Sequence, residues 1–441
     1  MTANDTAPPM TRRRVNATIA AGMALLLLAG AASSARQSAV TKPRTAEEIL
    51  QLVSKLRGLD VKRPVNSGAK THDEIEASVI ADLDENTTPA EFAATSKTLA
   101  KLGLISRTFG LREYVVKLLR EQVAGFYDTK TQNFYLASWI PLSEQEPVMA
   151  HELTHALQDQ HFNLRRFEKW PKGDSDAELA VHSLIEGEAT VLMFEYSVGG
   201  GSPVDLSKIG SLTEMLLSQS DASDSARFPV MSGAPAVLRE NLQFPYVYGV
   251  GFVQGVLKGK SWAALNDCYR NLPASTEQVI HPGRYLNHDN PVKIDIADLT
   301  PSLGAQWSRA DYDVNGEFGY LVLLGQFVGK QQARQAAEGW GGDRYALYEN
   351  RQTGSLLLTQ FTAWDTVEDA EEFFSVYLER TAKRYKISKP LPSPTGPAVS
   401  DTGEGLAMIE MRGRDVVIIE GAENREQLSR LSALLWRSSK K

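Results

Sequence analysis

The 441-residue sequence predicts an α+β protein with a mainly helical core, a short β-hairpin and an α+β unit at the C-terminal end. Three observations support this fold class. Apolar residues follow helical spacing through most of residues 45–300, and one alternating aromatic segment interrupts them. After about residue 301, strand-like and helix-like segments follow one another, as in an α+β domain.

The first 35 residues have the organisation of a secretory signal peptide. Arg12–Arg14 are basic, Ala20–Ala29 are apolar, and Ser33–Ala35 form a small-residue cleavage site. The sequence therefore predicts a secreted or periplasmic protein. An uncleaved membrane anchor stays open as an alternative, because the 18 residues Val15–Ala32 reach the lower length limit for spanning a bilayer.

The composition and net charge of the chain limit the kinds of binding partner that we expect. With 42% hydrophobic and 23% charged residues, the chain has the composition of a folded globular protein. Removal of residues 1–35 takes away three Arg and one Asp, which leaves 44 basic and 53 acidic residues and a net charge of −9. This charge argues against nucleic acid or an anionic membrane surface as partner. Cys268 is the single cysteine, so no intrachain disulfide can form.

The first 300 residues are predicted to contain, after the signal peptide, a helical region over residues 36–110 and a central domain over residues 111–300. Thr45–Leu59 and Asp73–Gly103 have helical apolar spacing. Leu111–Val123 predicts the first helix of the central domain. Ala124–Leu136 then alternates aromatic and polar residues around a polar turn, which predicts a β-hairpin.

The central domain carries the sequence His-Glu-Leu-Thr-His at residues 151–155. His151 and His155 lie one helical turn apart, about 6 Å along the axis, so both imidazoles face the same side. Two such nitrogens bind one Zn²⁺, and Glu152 beside them is placed to accept a proton from water. The alternative is a buried amphipathic helix with two incidental histidines. Neighbouring Leu153 and Leu157 form a separate apolar face, which favours the metal site.

A catalytic tetrahedral zinc site needs a third protein ligand, and two candidates follow in the sequence. His161 completes the spacing found in metzincins, but that arrangement needs glycine at the position of Gln158, where the helix must break sharply. Glu186 is the other candidate, and it lies on a second predicted helix from about Ser175 to Val198.

The segment Glu186-Gly187-Glu188-Ala189, together with residues 151–155, resembles the gluzincin clan of zinc peptidases. In that clan the first Glu of a Glu-Gly-x-Ala segment binds zinc. The resemblance implies a zincin-like core, with Glu186 as third ligand and Gly187 allowing close approach of the two helices. The interval from His155 to Glu186 is longer than in thermolysin-like members, which keeps Glu178 and Glu188 open as alternatives.

A longer set of segments resembles a group of secreted, largely uncharacterised bacterial and archaeal gluzincin-like proteins. These segments are the hairpin, His151–Phe162, Phe244–Tyr246, Ser275–Pro282 and Gly339–Tyr345. The resemblance implies a secreted zinc metallopeptidase that acts on a peptide or protein substrate. In zinc peptidases an edge strand near the metal commonly holds the substrate in extended form, and the predicted hairpin offers such a strand. The alternative is an ordinary hairpin that covers the core.

Four further residues have chemistry suited to this kind of site. Tyr246 and His281 are candidate catalytic donors to the oxyanion that forms during amide hydrolysis. Asp159, one turn after His155, is a candidate acceptor for a ligand histidine N–H. His182, one turn before Glu186, is a candidate partner of a carboxylate or a rival ligand, with a buried core histidine as the alternative.

The C-terminal unit is predicted over residues 301–441. Residues 341–344 are predicted to form a tight turn, and Pro390–Gly405 a loop. The predicted helices are Glu317–Ala337, Thr366–Tyr385 and Arg425–Trp436. The predicted strands are Ser355–Thr362, Ala407–Arg412 and Val416–Glu420.

The sequence as a whole predicts a zinc metallopeptidase with His151, His155 and Glu186 as ligands and Glu152 as general base. The alternative is a non-catalytic protein on the same scaffold, which binds zinc or a peptide without hydrolysis. Glu152 favours the enzyme, because a structural zinc site has no need of a base.

Overall fold

The computed structural model describes residues 23–25, 43–168, 170–204, 211–221, 226–387 and 396–441. Helices and strands are both abundant, which confirms the predicted α+β class. Most of the predicted signal peptide and of the alternative anchor lies outside the described residues. Met23–Leu25 are the exception and form a short strand, β1. Within the described ranges, no helix has the length and apolar character needed to cross a membrane.

The N-terminal region contains three helices and one strand. They are α1 (Ala46–Arg57), β2 (Asn66–Lys70), α2 (His72–Asn86) and α3 (Pro89–Leu102). A threonine precedes each helix, and a glutamate follows three residues after it. The threonine hydroxyl accepts a hydrogen bond from the backbone N–H of the glutamate, and the glutamate carboxylate accepts one from the backbone N–H of the threonine. The helices agree with the prediction. Strand β2 was missed, because Asn-Ser-Gly-Ala-Lys has no strand pattern.

The predicted hairpin is confirmed. Helix α4 (Leu111–Gln122) leads into β3 (Val123–Asp128), and β4 (Asn133–Ala137) returns antiparallel to it. The strand order is β1-β3-β4-β2, with β2 parallel to β4 and β1 antiparallel to β3. Strand β1 therefore occupies the outer edge of β3.

Three long helices form the centre of the molecule: α5 (Leu142–Phe162), α6 (Ser175–Gly199) and α9 (Ala236–Leu257). Helices α5 and α9 each continue through a proline, Pro147 in α5 and Pro245 in α9. An internal proline removes one backbone hydrogen bond and costs about 3 kcal/mol. Packing compensates for this loss, since both prolines are buried.

Shorter elements connect these helices to the C-terminal unit. They are α7 (Leu212–Asp221), α8 (Pro229–Ser232), α10 (Thr276–Ile280), α11 (Pro282–Leu286), β5 (Ile294–Asp295) and α12 (Thr300–Leu303).

Helices α6 and α9 touch backbone to backbone at two glycines. A Cβ atom on Gly187 would lie 2.3 Å from the carbonyl carbon of Gly249, and one on Gly249 would lie 2.2 Å from the Ser183 oxygen. The resemblance implied that Gly187 serves the approach of α6 to α5, but its close contact is with α9. This crossing sets the positions of the neighbouring residues Glu186 and Tyr246.

Gly187→Ala is therefore expected to lower the free energy of unfolding by about 1–3 kcal/mol, as overpacking of a rigid contact does. Gly283→Ala in α11 is the matched control, because no heavy atom lies within 4 Å of its added Cβ. Urea unfolding of both variants and the parent measures the effect. Equal stability of the two variants would show that the crossing is not tight.

The C-terminal unit is built on a six-stranded antiparallel sheet with the order β6-β7-β8-β11-β10-β9. Its strands are β6 (Trp307–Asp313), β7 (Trp340–Asn350), β8 (Leu356–Trp364), β9 (Ala398–Thr402), β10 (Gly405–Arg412) and β11 (Asp415–Ala422). The remaining elements are α13 (Gly316–Gly325), α14 (Lys330–Ala337), α15 (Val367–Tyr385), α16 (Arg425–Leu435) and β12 (Ser439–Lys440), which pairs with β5.

Three predictions for this unit need correction. Residues 341–344 form no tight turn, because they belong to β7, which has an irregular register near Gly342. The predicted loop Pro390–Gly405 contains β9, which pairs with β10. The single predicted helix Glu317–Ala337 is divided into α13 and α14.

The C-terminal unit packs directly against the helical part. The Thr98 hydroxyl on α3 donates to Asp311 on β6 at 2.7 Å. The rings of Phe244 on α9 and Phe318 on α13 lie 4.1 Å apart. One hydrophobic core therefore continues across residue 301.

Candidate metal centre

Three potential metal ligands meet between α5 and α6. The Nε2 atoms of His151 and His155 lie 3.1 Å apart, and Oε2 of Glu186 lies 3.1 Å from the first and 3.4 Å from the second. All three side chains are fully buried. Among the described residues, this is the one group of three His, Cys, Asp or Glu ligand atoms within 4.8 Å of one another.

The spacing of these three atoms fits a zinc ion. Zinc bonds to histidine nitrogen and carboxylate oxygen are about 2.0–2.2 Å long, which places neighbouring ligand atoms of a tetrahedron about 3.3–3.5 Å apart. Two histidines and one glutamate are also a donor set of catalytic zinc sites, which keep the fourth position for water or substrate. The residues present therefore fit Zn²⁺.

The charges of the cluster are balanced within it. Burial disfavours charge on both groups, but mutual attraction and hydrogen bonding raise the pKa of His155 to about 9 and lower the pKa of Glu186 to about 2. Burial lowers the pKa of His151, so this ring stays neutral. The positive charge of His155 and the negative charge of Glu186 therefore stabilise each other.

Strand β3 positions Glu152. The backbone N–H of Tyr127 donates to Glu152 Oε2 at 2.8 Å, and the Glu152 side chain is fully buried. Because α5 packs on the hairpin, the carboxylate next to His151 is held in one orientation. The sequence predicted both the hairpin and Glu152 but gave no sign of this backbone contact.

Tyr246 lies beside the cluster, and its role as a donor to the oxyanion stays a prediction. Its ring centroid lies 6.2 Å from that of His151, with the two planes 28° apart. Its hydroxyl hydrogen-bonds the Glu186 carboxylate. Burial, followed by the negative charges of Glu186 and Glu152, raises its pKa well above the ordinary value, so the hydroxyl remains protonated.

The prediction for Asp159 is wrong, because its carboxylate contacts neither ligand histidine. Instead it accepts hydrogen bonds from Arg63 at 2.7 Å, from the Tyr127 hydroxyl at 3.1 Å and from the Leu164 N–H at 3.1 Å. Asp159 therefore anchors the end of α5 to β3 and to the N-terminal region. Helical spacing placed it on the ligand face but did not show that Arg63 competes for it.

The residue that does contact a candidate ligand histidine is Gln158. Its Oε1 accepts from Nδ1 of His155 at 2.8 Å, and its Nε2 donates to the Ile185 carbonyl at 3.0 Å. Sequence reasoning treated Gln158 only as a departure from the metzincin pattern. The available signal was its position three residues after His155, which is a neighbouring position on a helix.

His182 lies beside the cluster without a hydrogen bond to a ligand. It is buried on α6 one turn before Glu186, and its Nδ1 has no hydrogen-bond partner within the described part of the chain. Burial lowers its pKa to about 4, so the ring is neutral. The predicted pairing of His182 with a carboxylate is therefore absent. His182 is instead a buried core histidine, which was the alternative prediction.

His281 lies outside the cluster, contrary to its predicted catalytic role. It follows α10, and its Nε2 pairs with Glu317 Oε1 on α13 at 2.9 Å. The hydrogen bond to Glu317 raises the pKa of His281 above its ordinary value. His281 thus joins the helical part to the C-terminal unit.

The alternative third ligands also lie elsewhere. Helix α5 runs unbroken to Phe162, and His161 Nε2 contacts the Asp60 carbonyl oxygen at 2.8 Å. Glu188 is buried between Arg57 and the Tyr269 hydroxyl, which both bind its carboxylate. Glu178 is two turns from Glu186 along α6, about 12 Å.

Part of the C-terminal unit matches a family model. Residues 304–432 match a family described as a domain of unknown function, DUF8575. No curated protein and no solved structure matches the chain. The matched stretch begins well after the cluster and contains none of His151, His155 and Glu186.

Proposed function

We propose that the protein is a secreted zinc metallopeptidase with a zincin-like core formed by the hairpin and helices α5, α6 and α9. The observation that carries this proposal is the buried group of His151, His155 and Glu186, with the Glu152 carboxylate next to it. Three ligands leave one zinc position for water or substrate, which is the organisation of catalytic rather than structural sites.

The proposed hydrolysis of a peptide bond depends on both the metal and Glu152. Bound zinc supplies Lewis acidity, which lowers the pKa of water toward about 7 and polarises a carbonyl group. Glu152 accepts the proton of the attacking water and passes it to the departing amine. The Tyr127 N–H holds one oxygen of Glu152, so the carboxylate is oriented before substrate binds.

Tyr246 is the proposed donor to the oxyanion. Its hydroxyl lies close to the Glu186 carboxylate and stays protonated because of burial and the neighbouring negative charges. A fixed, protonated donor stabilises the negative charge that develops on the scissile carbonyl oxygen.

The outer edge of β3 is the proposed substrate-binding strand. Met23–Leu25 pair with it antiparallel, with Met23 opposite Phe126 and Ala24 opposite Gly125. An extended peptide makes the same backbone hydrogen bonds by strand addition. The intramolecular strand shows that this edge accepts an added strand.

Removal of the predicted signal peptide is expected to increase peptide cleavage, because it frees the edge of β3. The chain that begins at residue 36 lacks β1, whereas the full chain retains it in contact with β3 and α5. Initial rates on one peptide library, at equal zinc content, measure the difference. Equal rates would mean that β1 does not compete with substrate.

A second candidate function is a non-catalytic zinc-binding protein. Complete burial of His151, His155, Glu186 and Glu152 favours it, because a structural site requires no access for substrate. Replacement of Glu152 separates the two candidates, since only the enzyme depends on a base at that position.

A further inference from the structure

Gln158 connects the two helices that carry the candidate ligands. The side chain is fully buried on α5. One end of its amide contacts the ring of His155, and the other contacts the backbone of Ile185, the residue before Glu186 on α6. A single amide therefore contacts a ligand of one helix and the neighbour of a ligand on the other.

The two contacts together fix the orientation of the amide and the proton position on His155. A backbone carbonyl only accepts hydrogen bonds, so the amide NH₂ of Gln158 must face the oxygen of Ile185. Its carbonyl oxygen then faces Nδ1 of His155, which must carry a proton to donate. Nε2 of His155 is left as the atom that faces His151 and Glu186.

We propose that Gln158 is a positioning residue of the metal centre, which keeps the Nε2 lone pair of His155 directed at the metal and holds α5 and α6 at a fixed separation. This inference rests on the proposed zinc site. A ligand histidine commonly donates its second N–H to a carboxylate or carbonyl, which sets its orientation. Gln158 does so with a neutral amide, so it adds no negative charge to the site.

The test is the zinc affinity of Gln158→Met, measured by chelator competition. Methionine keeps the length of the side chain but removes both hydrogen bonds. Loss of the partner of a ligand histidine costs about 10- to 100-fold in metal affinity, and we expect a loss of this size. The absorption bands of the cobalt-substituted protein should shift as well, because the orientation of His155 changes.

Gln160→Met is the matched control. Gln160 is also buried on the same helix, and its side-chain amide makes partly buried hydrogen bonds to the backbone of Lys62 and Arg63, on the side away from the cluster. Its replacement should lower stability but leave zinc affinity and the cobalt spectrum unchanged. A loss of affinity common to both variants would indicate a general effect on the fold and overturn the proposal.

Gln158→Glu separates the contact with His155 from the contact with Ile185. A carboxylate accepts from His155 Nδ1 but cannot donate to the Ile185 carbonyl. We expect this variant to bind zinc more tightly than Gln158→Met. The proposal is overturned if the two variants bind zinc equally tightly, or if Gln158→Met binds zinc within about twofold of the parent. If the parent protein itself contains no zinc, the result contradicts the proposed function instead.

Discussion

Replacement of Glu152 by glutamine is expected to lower peptide cleavage by about 10²- to 10⁴-fold, the usual contribution of a general base. Glutamine has the same size, and its carbonyl oxygen can still accept the hydrogen bond from the Tyr127 N–H. It cannot accept a proton from water. The fold and the zinc content should therefore be unchanged. Steady-state rates on a peptide that the parent cleaves, together with metal analysis, measure both quantities.

Glu146→Gln is the control for the same change elsewhere on α5. Glu146 is buried and accepts hydrogen bonds from the Arg44 N–H and the Tyr196 hydroxyl, so its replacement alters a buried charge outside the cluster. We expect it to retain most of the activity. If Glu152→Gln is as active as this control, the assignment of Glu152 as base fails.

Replacement of Glu186 by alanine is expected to reduce bound zinc from about one ion per chain to nearly none. Two histidines remain, and the loss of a direct ligand should exceed the roughly 10- to 100-fold loss that follows removal of a ligand's partner. Zinc content after dialysis and the dissociation constant from chelator competition measure the effect. Glu186→Gln, which preserves side-chain volume, distinguishes ligand loss from a packing defect.

His161→Ala is the control that tests the metzincin-like alternative. His161 contacts the Asp60 carbonyl and points away from the cluster. Its replacement should leave zinc binding intact. The opposite result, with His161 required and Glu186 dispensable, would assign the third ligand to His161.

Local sequence patterns were sufficient for the parts of the site that depend on one helix or one turn. The spacing of His151 and His155 requires only α-helical geometry, and the alternating aromatic residues of β3 and β4 require only a hairpin. The choice of Glu186 as the candidate third ligand depended on a resemblance to a known clan, because nothing local to residues 151–155 indicates which helix packs beside them.

Contacts between distant segments set the limits of the prediction. Asp159 was placed correctly on its helix but bonds Arg63, 96 residues away. Pro147 and Pro245 lie inside helices because burial compensates for the missing hydrogen bonds. Strand β2 exists because β4 pairs with it, and its own five residues show no strand pattern. Such features depend on tertiary packing that no short sequence window contains.

The central claim is tested most directly by peptide-library cleavage with the zinc-loaded chain that begins at residue 36, before and after treatment with a chelator. The proposed function predicts cleavage by the zinc-loaded protein, its loss on chelation and its return when zinc is restored. A chain that holds one zinc ion and binds peptides but cleaves none would contradict the peptidase assignment and support the non-catalytic zinc-binding protein.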